Sequence, residues 1–158
     1  MGLAFLPLAM ATGVIGGAEE TVRVGFLPFE APGSDPGVQE AASAVTQSLH
    51  TRFVREDDAR FTLLSPTLAS RYRDRGLLPA EIGRSLRADV VVAGQVRRDT
   101  ATAGAQAVVS AQLVRVSDGR ALWTGRWQLG DPASGPDRRR VVDWLEDRIG
   151  RTLQTVKP

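Results

Sequence analysis

Short apolar runs and longer stretches of helical spacing follow one another along the chain. Residues 21–28 alternate apolar and polar positions up to Pro28, which predicts a strand. The consecutive apolar residues after Asp89 predict a strand that is buried on both faces. After Asp35-Pro36, apolar residues recur at helical spacing, which predicts an amphipathic helix that begins at this pair.

Over the whole chain, these patterns of apolar and polar residues predict one α/β domain with a mixed sheet of about five strands, covered by about four helices. The strands are expected near 21–28, 61–65, 89–97, 107–117 and 120–129. The helices are expected near 36–54, 66–75, 79–87 and 137–155. The sheet ends in a β-hairpin, because the last two strands flank the turn sequence Asp118-Gly119.

The hairpin turn also predicts which side chains share a face. A two-residue loop at Asp118-Gly119 pairs Val114 with Trp123 and Gln112 with Gly125. One face is then apolar and contains Val114, Val116, Trp123, Trp127 and Leu129. The other face is mixed and half exposed, and it contains Leu113, Arg115, Leu122, Thr124 and Arg126. Trp144, in the last helix, is expected to be exposed.

The first residues differ in composition from the rest. Residues 2–18 carry no side-chain charge and are followed by Glu19-Glu20. An apolar stretch with small residues near its end is typical of a secretory signal peptide, although a basic amino-terminal region is missing. The alternatives are the remnant of a membrane anchor, which would tether the domain through residues 2–18, and an ordinary chain terminus. We expect 1–20 to be a signal peptide or anchor remnant, and 21–158 to be an α/β domain that works outside the cytoplasm.

Composition excludes several kinds of chemistry. The chain of 158 residues has no cysteine, which excludes disulfides, thiol nucleophiles and a lipidated cysteine. Its 20 basic residues, of which only Lys157 is not arginine, face 18 acidic ones, so the net charge is only +2. Without a strong positive field we expect no binding to nucleic acid.

Catalytic and metal-binding signals are weak. His50 is the single histidine and flanks an apolar helical stripe, so we expect a position beside the core rather than a general base. The run Glu56-Asp57-Asp58 fits either a weak cation site or, as we expect, a solvated loop. No phosphate loop, nucleophile elbow or zinc-protease motif is present. We therefore expect no catalytic residues, no metal and no cofactor.

The arginines suggest a binding surface. Arg97 and Arg98 follow the buried central strand, where they either keep the strand end soluble or contact a partner. If they contact a partner, Arg115 and Arg126 are expected to join them in one arginine-rimmed surface for an acidic protein.

Several short motifs occur in a characteristic order over residues 22–150. They are Leu27-Pro28-Phe29, Gly33 to Pro36, Ile82-Gly83 with Leu86, Val92 to Arg98 with Gly94, Ala111-Gln112-Leu113, Asp118-Gly119, and Leu122-Trp123 with Arg126-Trp127. This order resembles the TolB-like amino-terminal domain family. The layout is also similar to that of envelope factors of the curli-secretion and penicillin-binding-protein-activator type.

The resemblance implies that residues 21–158 are a TolB-like amino-terminal-type α/β domain. Such a domain is expected to be a non-catalytic interaction or regulatory domain of a bacterial envelope or signalling protein, in the periplasm or tethered to the membrane facing it. One alternative is a regulatory fragment of a transcriptional regulator or an adenylate cyclase, because TolB-like modules occur beside such domains. A second alternative is a small enzyme. An interaction module predicts an open sheet face, whereas an enzyme predicts a pocket with at least two titratable groups.

Overall fold

Five strands form one mixed sheet in the computed structural model, which describes residues 20–101 and 106–157. The strands are β1 (Val22–Phe26), β2 (Phe61–Leu64), β3 (Val90–Arg98), β4 (Ala107–Arg115) and β5 (Ala121–Gly130). The helices are α1 (Pro36–Glu56), α2 (Pro66–Ser70), α3 (Pro79–Leu86) and α4 (Gly135–Leu153). The α/β class, the mixed sheet and the order of elements are as predicted. The predicted leader, residues 1–20, lies outside the described residues except for Glu20.

The sheet order is β2-β1-β3-β4-β5. β1 runs parallel to both β2 and β3, while β3, β4 and β5 are successively antiparallel. The half of the sheet that contains β1 and β2 is therefore built from strand–helix–strand units, and the other half is a meander. β5 forms one edge and the short β2 forms the other.

One face of the sheet carries the main core. α1 and α4 pack side by side on this face, which we call the helix face. The α1 residues that point to the sheet follow the predicted stripe, and they include Val38, Val45 and Leu49. Leu145 and Ile149 of α4 are fully buried against the same core. Burial of these two apolar stripes is what holds the helices to the sheet.

The opposite face is only partly covered. α2 and α3 pack over its β1–β3 side and bury a smaller cluster that includes Val91 and Val114. α3 approaches closely because Gly83 has no side chain: a Cβ there would lie 2.5 Å from Val116 and 2.9 Å from Val91. Within residues 20–101 and 106–157, no helix packs over the rest of this face, at β3, β4 and β5. We call it the open face.

α2 is shorter than predicted. It ends at Ser70, and residues 71–75 form turns instead of a further helical turn. Asp74 and Gly76 both adopt positive φ angles, of 62° and 65°, which turn the chain away from a helical path. The buried residue of α2 is Ala69, whereas Leu68 is 40% exposed.

The predicted hairpin register is wrong by one residue. The loop has four residues, because Arg115 N–H donates to Arg120 O and Gly119 N–H donates to Arg115 O. Val116 is buried and its N–H donates to Asp89 O, so it is tied to the start of β3 and does not continue the hairpin. Leu122 is an extra residue in β5, and Leu113, not Val114, lies opposite Trp123.

This shift changes the predicted faces. Trp123, Trp127 and Leu129 share the helix face with Leu113, while Val114 and Val116 lie on the opposite side. Trp144 is not the exposed residue that we expected. Its ring centroid lies 5.4 Å from that of Trp123 and 5.3 Å from that of Trp127, so α4 and β5 are joined by three packed indoles.

Candidate interaction surface

Mostly polar side chains form a regular array on the open face. The strand registers place Ala93, Gln112 and Thr124 in one row across β3, β4 and β5. The next row is Gln95, Ser110 and Arg126, and the last is Arg97, Val108 and Gln128. Because alternate residues of a strand share a face, this array is continuous over three strands. The face is therefore rich in hydrogen-bonding groups.

A groove with a volume of about 1130 Å³ lies over this array. Its floor includes Gln95, Ser110, Gln112 and Thr124. One wall is the segment 27–32 that follows β1, and the other is the segment 72–79 that joins α2 to α3. The groove is open to solvent, and polar side chains on its floor lie beside apolar side chains on its walls, which suits an extended protein segment better than a small molecule.

The first wall is built by the predicted motif Leu27-Pro28-Phe29. Phe29 is 4% exposed, and its N–H donates to Thr46 Oγ1 on α1 at 2.9 Å. The ring lies against Gly94, where a Cβ would be 2.5 Å from Phe29 Cε2. Beyond the ring, Glu30 exchanges backbone hydrogen bonds with Gly94 and Val96. The aromatic ring and the glycine of the two motifs thus fit each other and fix the wall.

The second wall exposes apolar side chains. Leu77 is 38% exposed and Leu78 is 66% exposed, and both line the groove. Leu78 directly precedes α3, and its N–H donates to Glu81 Oε2 at 2.7 Å. This bond caps the helix and holds the leucine at the mouth of the groove. The two leucines therefore form a fixed apolar rim.

Arg97 and Arg126 lie on the open face beside the groove. Arg126 is directly opposite Ser110, and Arg97 is one row further along. Both are exposed, and within the described residues neither has an ion pair or a side-chain hydrogen bond. These two predicted site residues are brought together by the fold.

Arg98 and Arg115 lie elsewhere, so the four predicted arginines do not share one surface. Arg98 is on the helix face, where its guanidinium pairs with Asp35. Arg115 lies opposite Val90, at the other end of β3 from Arg97, and pairs with Asp118 at 3.3 Å. Arg97 and Val90, the partner of Arg115, are seven residues apart along β3, which corresponds to about 23 Å.

Arg98 supports the start of α1. The other oxygen of its partner, Asp35 Oδ1, accepts hydrogen bonds from Gly37 N at 2.9 Å and Val38 N at 3.2 Å. The Arg98 hydrogen bond, followed by the bond from Val38, holds the pKa of Asp35 below its ordinary value. The carboxylate thus stays charged, which favours its capping role. Arg98 therefore has a partner within the fold, unlike Arg97.

His50 lies on the helix face, away from the groove. Its ring packs edge-on against Phe26 with centroids 5.3 Å apart, and burial lowers the pKa of the imidazole. In the acidic loop, Asp58 is bound by Arg60, whose hydrogen bonds lower the pKa of Asp58 to about 2. Among residues 20–101 and 106–157 no cluster of potential metal ligands is found. Within the same ranges no helix is both long and apolar enough to span a bilayer.

The sequence pattern did not predict the groove floor or the leucine rim. The polar residues Ser110, Gln112, Thr124 and Gln128 alternate with apolar ones, which is a signal for one exposed sheet face. The incorrect hairpin register obscured this signal because it placed Gln112 opposite Gly125 instead of Thr124. The exposed leucines have no comparable signal, because Leu77 and Leu78 lie in the short loop before α3, where no periodic pattern indicates which side chains are exposed.

No family model and no curated protein matches the chain. Solved structures do share its fold. A hypothetical protein of Chlamydia trachomatis has a TM-score of 0.53 at 12% identity, with 85% of this chain and 100% of that chain covered. A lipoprotein of Neisseria meningitidis has a TM-score of 0.52 at 14% identity, and the match covers 82% of this chain and 96% of the lipoprotein. TolB of Acinetobacter baumannii has a TM-score of 0.52 at 19% identity, and the match covers 88% of this chain but 30% of TolB.

At these identities the likeness is one of fold. The chain therefore has a fold that also occurs in TolB and in a bacterial lipoprotein, as the TolB-like motifs implied.

Proposed function

We propose that this chain is a non-catalytic protein-interaction domain of the bacterial envelope, and that its open face binds the partner. The observation that carries the proposal is the apolar rim beside the polar groove. Leu78 is 66% exposed at the groove mouth, next to a floor of hydrogen-bonding side chains. Apolar anchors next to polar groups are typical of protein interfaces.

The charge of the site supports an acidic protein partner. Arg97 and Arg126 extend the array at one end of the groove, and neither is neutralised by a carboxylate within the described residues. Exposed arginines bind carboxylates through two parallel hydrogen bonds, so they would fix the register of an acidic segment in the groove. Leu77 and Leu78 would contact an apolar residue of the same segment.

The envelope location rests on two supports. Residues 2–18 are uncharged and would direct the domain across the membrane or tether it there. One protein that shares the fold is a lipoprotein, and another is TolB. We therefore place the domain in the periplasm, free or membrane-tethered, with no metal and no cofactor in its function.

Replacement of Arg97 and Arg126 by serine tests this binding mode. Two exposed ion pairs contribute about 0.2–1 kcal/mol each, so we expect the double variant to bind its envelope partner about 2-fold to 30-fold more weakly. The loss should be larger at low salt, where screening is weaker. The matched control replaces Arg55 and Arg84, which are exposed and remove the same charge away from the groove. An equal loss in both double variants, measured by titration at two salt concentrations, contradicts the proposal.

A further inference from the structure

The two edges of the sheet differ in how they are protected. β2 has four residues and is followed directly by Ser65-Pro66, so it offers little backbone to another strand. β5 has ten residues, contains no proline or lysine, and has a single charged side chain, Arg126. The two irregularities of the β4–β5 ladder lie at Leu122 and Leu129 and leave residues 123–128 regularly paired. A long, regular edge strand without proline or lysine is a template for pairing with another strand.

The hydrogen bonds of β3 show which groups of β5 point outward. Leu27 N–H donates to Val92 O and Glu30 N–H donates to Gly94 O, so even-numbered residues of β3 bond towards β1. Odd-numbered residues of β3 therefore bond to β4, and they lie opposite even-numbered residues there. Odd-numbered residues of β4 then bond to β5, in agreement with the bond from Arg115 N–H to Arg120 O.

The β4–β5 register gives the same alternation of hydrogen-bonding direction in β5. Trp123, Gly125 and Trp127 lie opposite odd-numbered residues of β4 and form the hydrogen-bonded pairs. The N–H and C=O groups of Thr124, Arg126 and Gln128 consequently point away from the sheet. These outward groups have no backbone partner within the described residues.

Two copies of β5 fit each other in one antiparallel register. With the two-fold axis at Gly125, the outward groups of Thr124 bond to those of Arg126 in the second copy. Trp123 then lies opposite Trp127 of the second copy on the helix face, where aromatic cross-strand pairs are favourable. With the axis moved to Arg126, two arginines would lie directly opposite each other, which is unfavourable.

We propose that this chain forms a two-fold symmetric dimer in which the β5 strands of two copies pair antiparallel about Gly125 and join their sheets into one. The half-buried Trp123 and Trp127 gain contacts across the joint, on the face opposite the groove. The dimer interface is the sheet edge, so this inference does not depend on what the groove binds.

A proline at a position whose backbone N–H points away from the sheet is expected to prevent dimer formation without disturbing the fold. The Thr124 N–H is not used in the β4–β5 ladder, so Thr124→Pro removes an intermolecular donor without breaking an internal one. Thr124→Val keeps the N–H and the β-branched shape. The full chain is studied by sedimentation at up to ~1 mM, a concentration at which even a millimolar dissociation constant gives a populated dimer. We expect dimers for the parent and for Thr124→Val. Thr124→Pro should be monomeric. A monomeric parent, or a Thr124→Pro variant that still dimerises, overturns the proposal.

Engineered cysteines test the register without a proline. The chain has no native cysteine, so the variants Thr124→Cys and Arg126→Cys each carry a single thiol, and a disulfide can form only between two copies. Residues directly opposite are close enough for a disulfide, whereas diagonal neighbours lie about 7–8 Å apart. We expect linked dimers when the two variants are mixed and oxidised, and few when either is oxidised alone. Linkage of Arg126→Cys with itself in preference to the mixture, or no linkage at all, overturns the proposed pairing.

Discussion

Replacing Phe29 with alanine is expected to lower the free energy of unfolding by about 3–5 kcal/mol, as is usual for a fully buried aromatic ring. The ring is 4% exposed and lies between the main core and Gly94. Its loss leaves a cavity beneath the first wall of the groove. Chemical denaturation followed by circular dichroism measures the change, and a loss below about 1 kcal/mol would show that the ring is not the support of the wall.

Gly94→Ala probes the same contact from the other side. Its new Cβ would lie 2.5 Å from the Phe29 ring, which is buried and cannot move aside freely, so we expect a loss of about 1–3 kcal/mol. In the double variant Phe29→Ala/Gly94→Ala, the methyl group of Ala at position 94 fills part of the cavity that the Phe29 ring leaves. The two losses should therefore sum to more than the loss of the double variant, by about 0.5–3 kcal/mol. Simple additivity would contradict direct packing.

The second large effect is expected at Gly125, where α4 meets β5. A Cβ there would lie 2.6 Å from Trp144 Cη2 and would also meet Trp123. Gly125→Ala should destabilise the fold by about 1–3 kcal/mol and change the tryptophan fluorescence, because the indoles must separate.

Gly150→Ala is the matched control for Gly125→Ala. Gly150 is in α4, and no atom lies within 4 Å of its would-be Cβ, so alanine should stabilise by up to about 1 kcal/mol. A Gly125→Ala variant with unchanged stability and fluorescence would contradict the packed indole cluster.

The elements of this fold could be predicted because each has a local signal. The stripe of α1 and its start at Asp35-Pro36 follow from helical spacing and capping, and the buried β3 follows from its run of valines. The ends of helices and the turns have weaker local signals in the sequence. After Ser70 the N–H groups of Tyr72 and Arg73 bond three residues back, and Asp74 then takes a positive φ, so the α-helix does not continue. The helical spacing of Leu68 and Tyr72 does not reveal these turns.

The hairpin shows why the site could not be fully predicted. Asp118-Gly119 indicates a turn, but the buried Val116 is held by Asp89, an interaction distant in sequence. This contact enlarges the loop and leaves Leu122 as an extra residue, so each face of β5 changes its neighbours in β4. The separation of Arg115 from Arg97 is likewise set by strand pairing, not by local sequence.

Site-specific photo-crosslinking in the native envelope tests most directly whether the open face is the binding surface. A photoreactive amino acid is placed at Leu78 or Gln112 in the groove, and at the exposed Gln47 on the far side of α1 as the control. We expect both groove positions to crosslink to the same protein, more weakly when Arg97 and Arg126 are replaced by serine. Crosslinking to that protein from Gln47 but not from the groove would contradict the account.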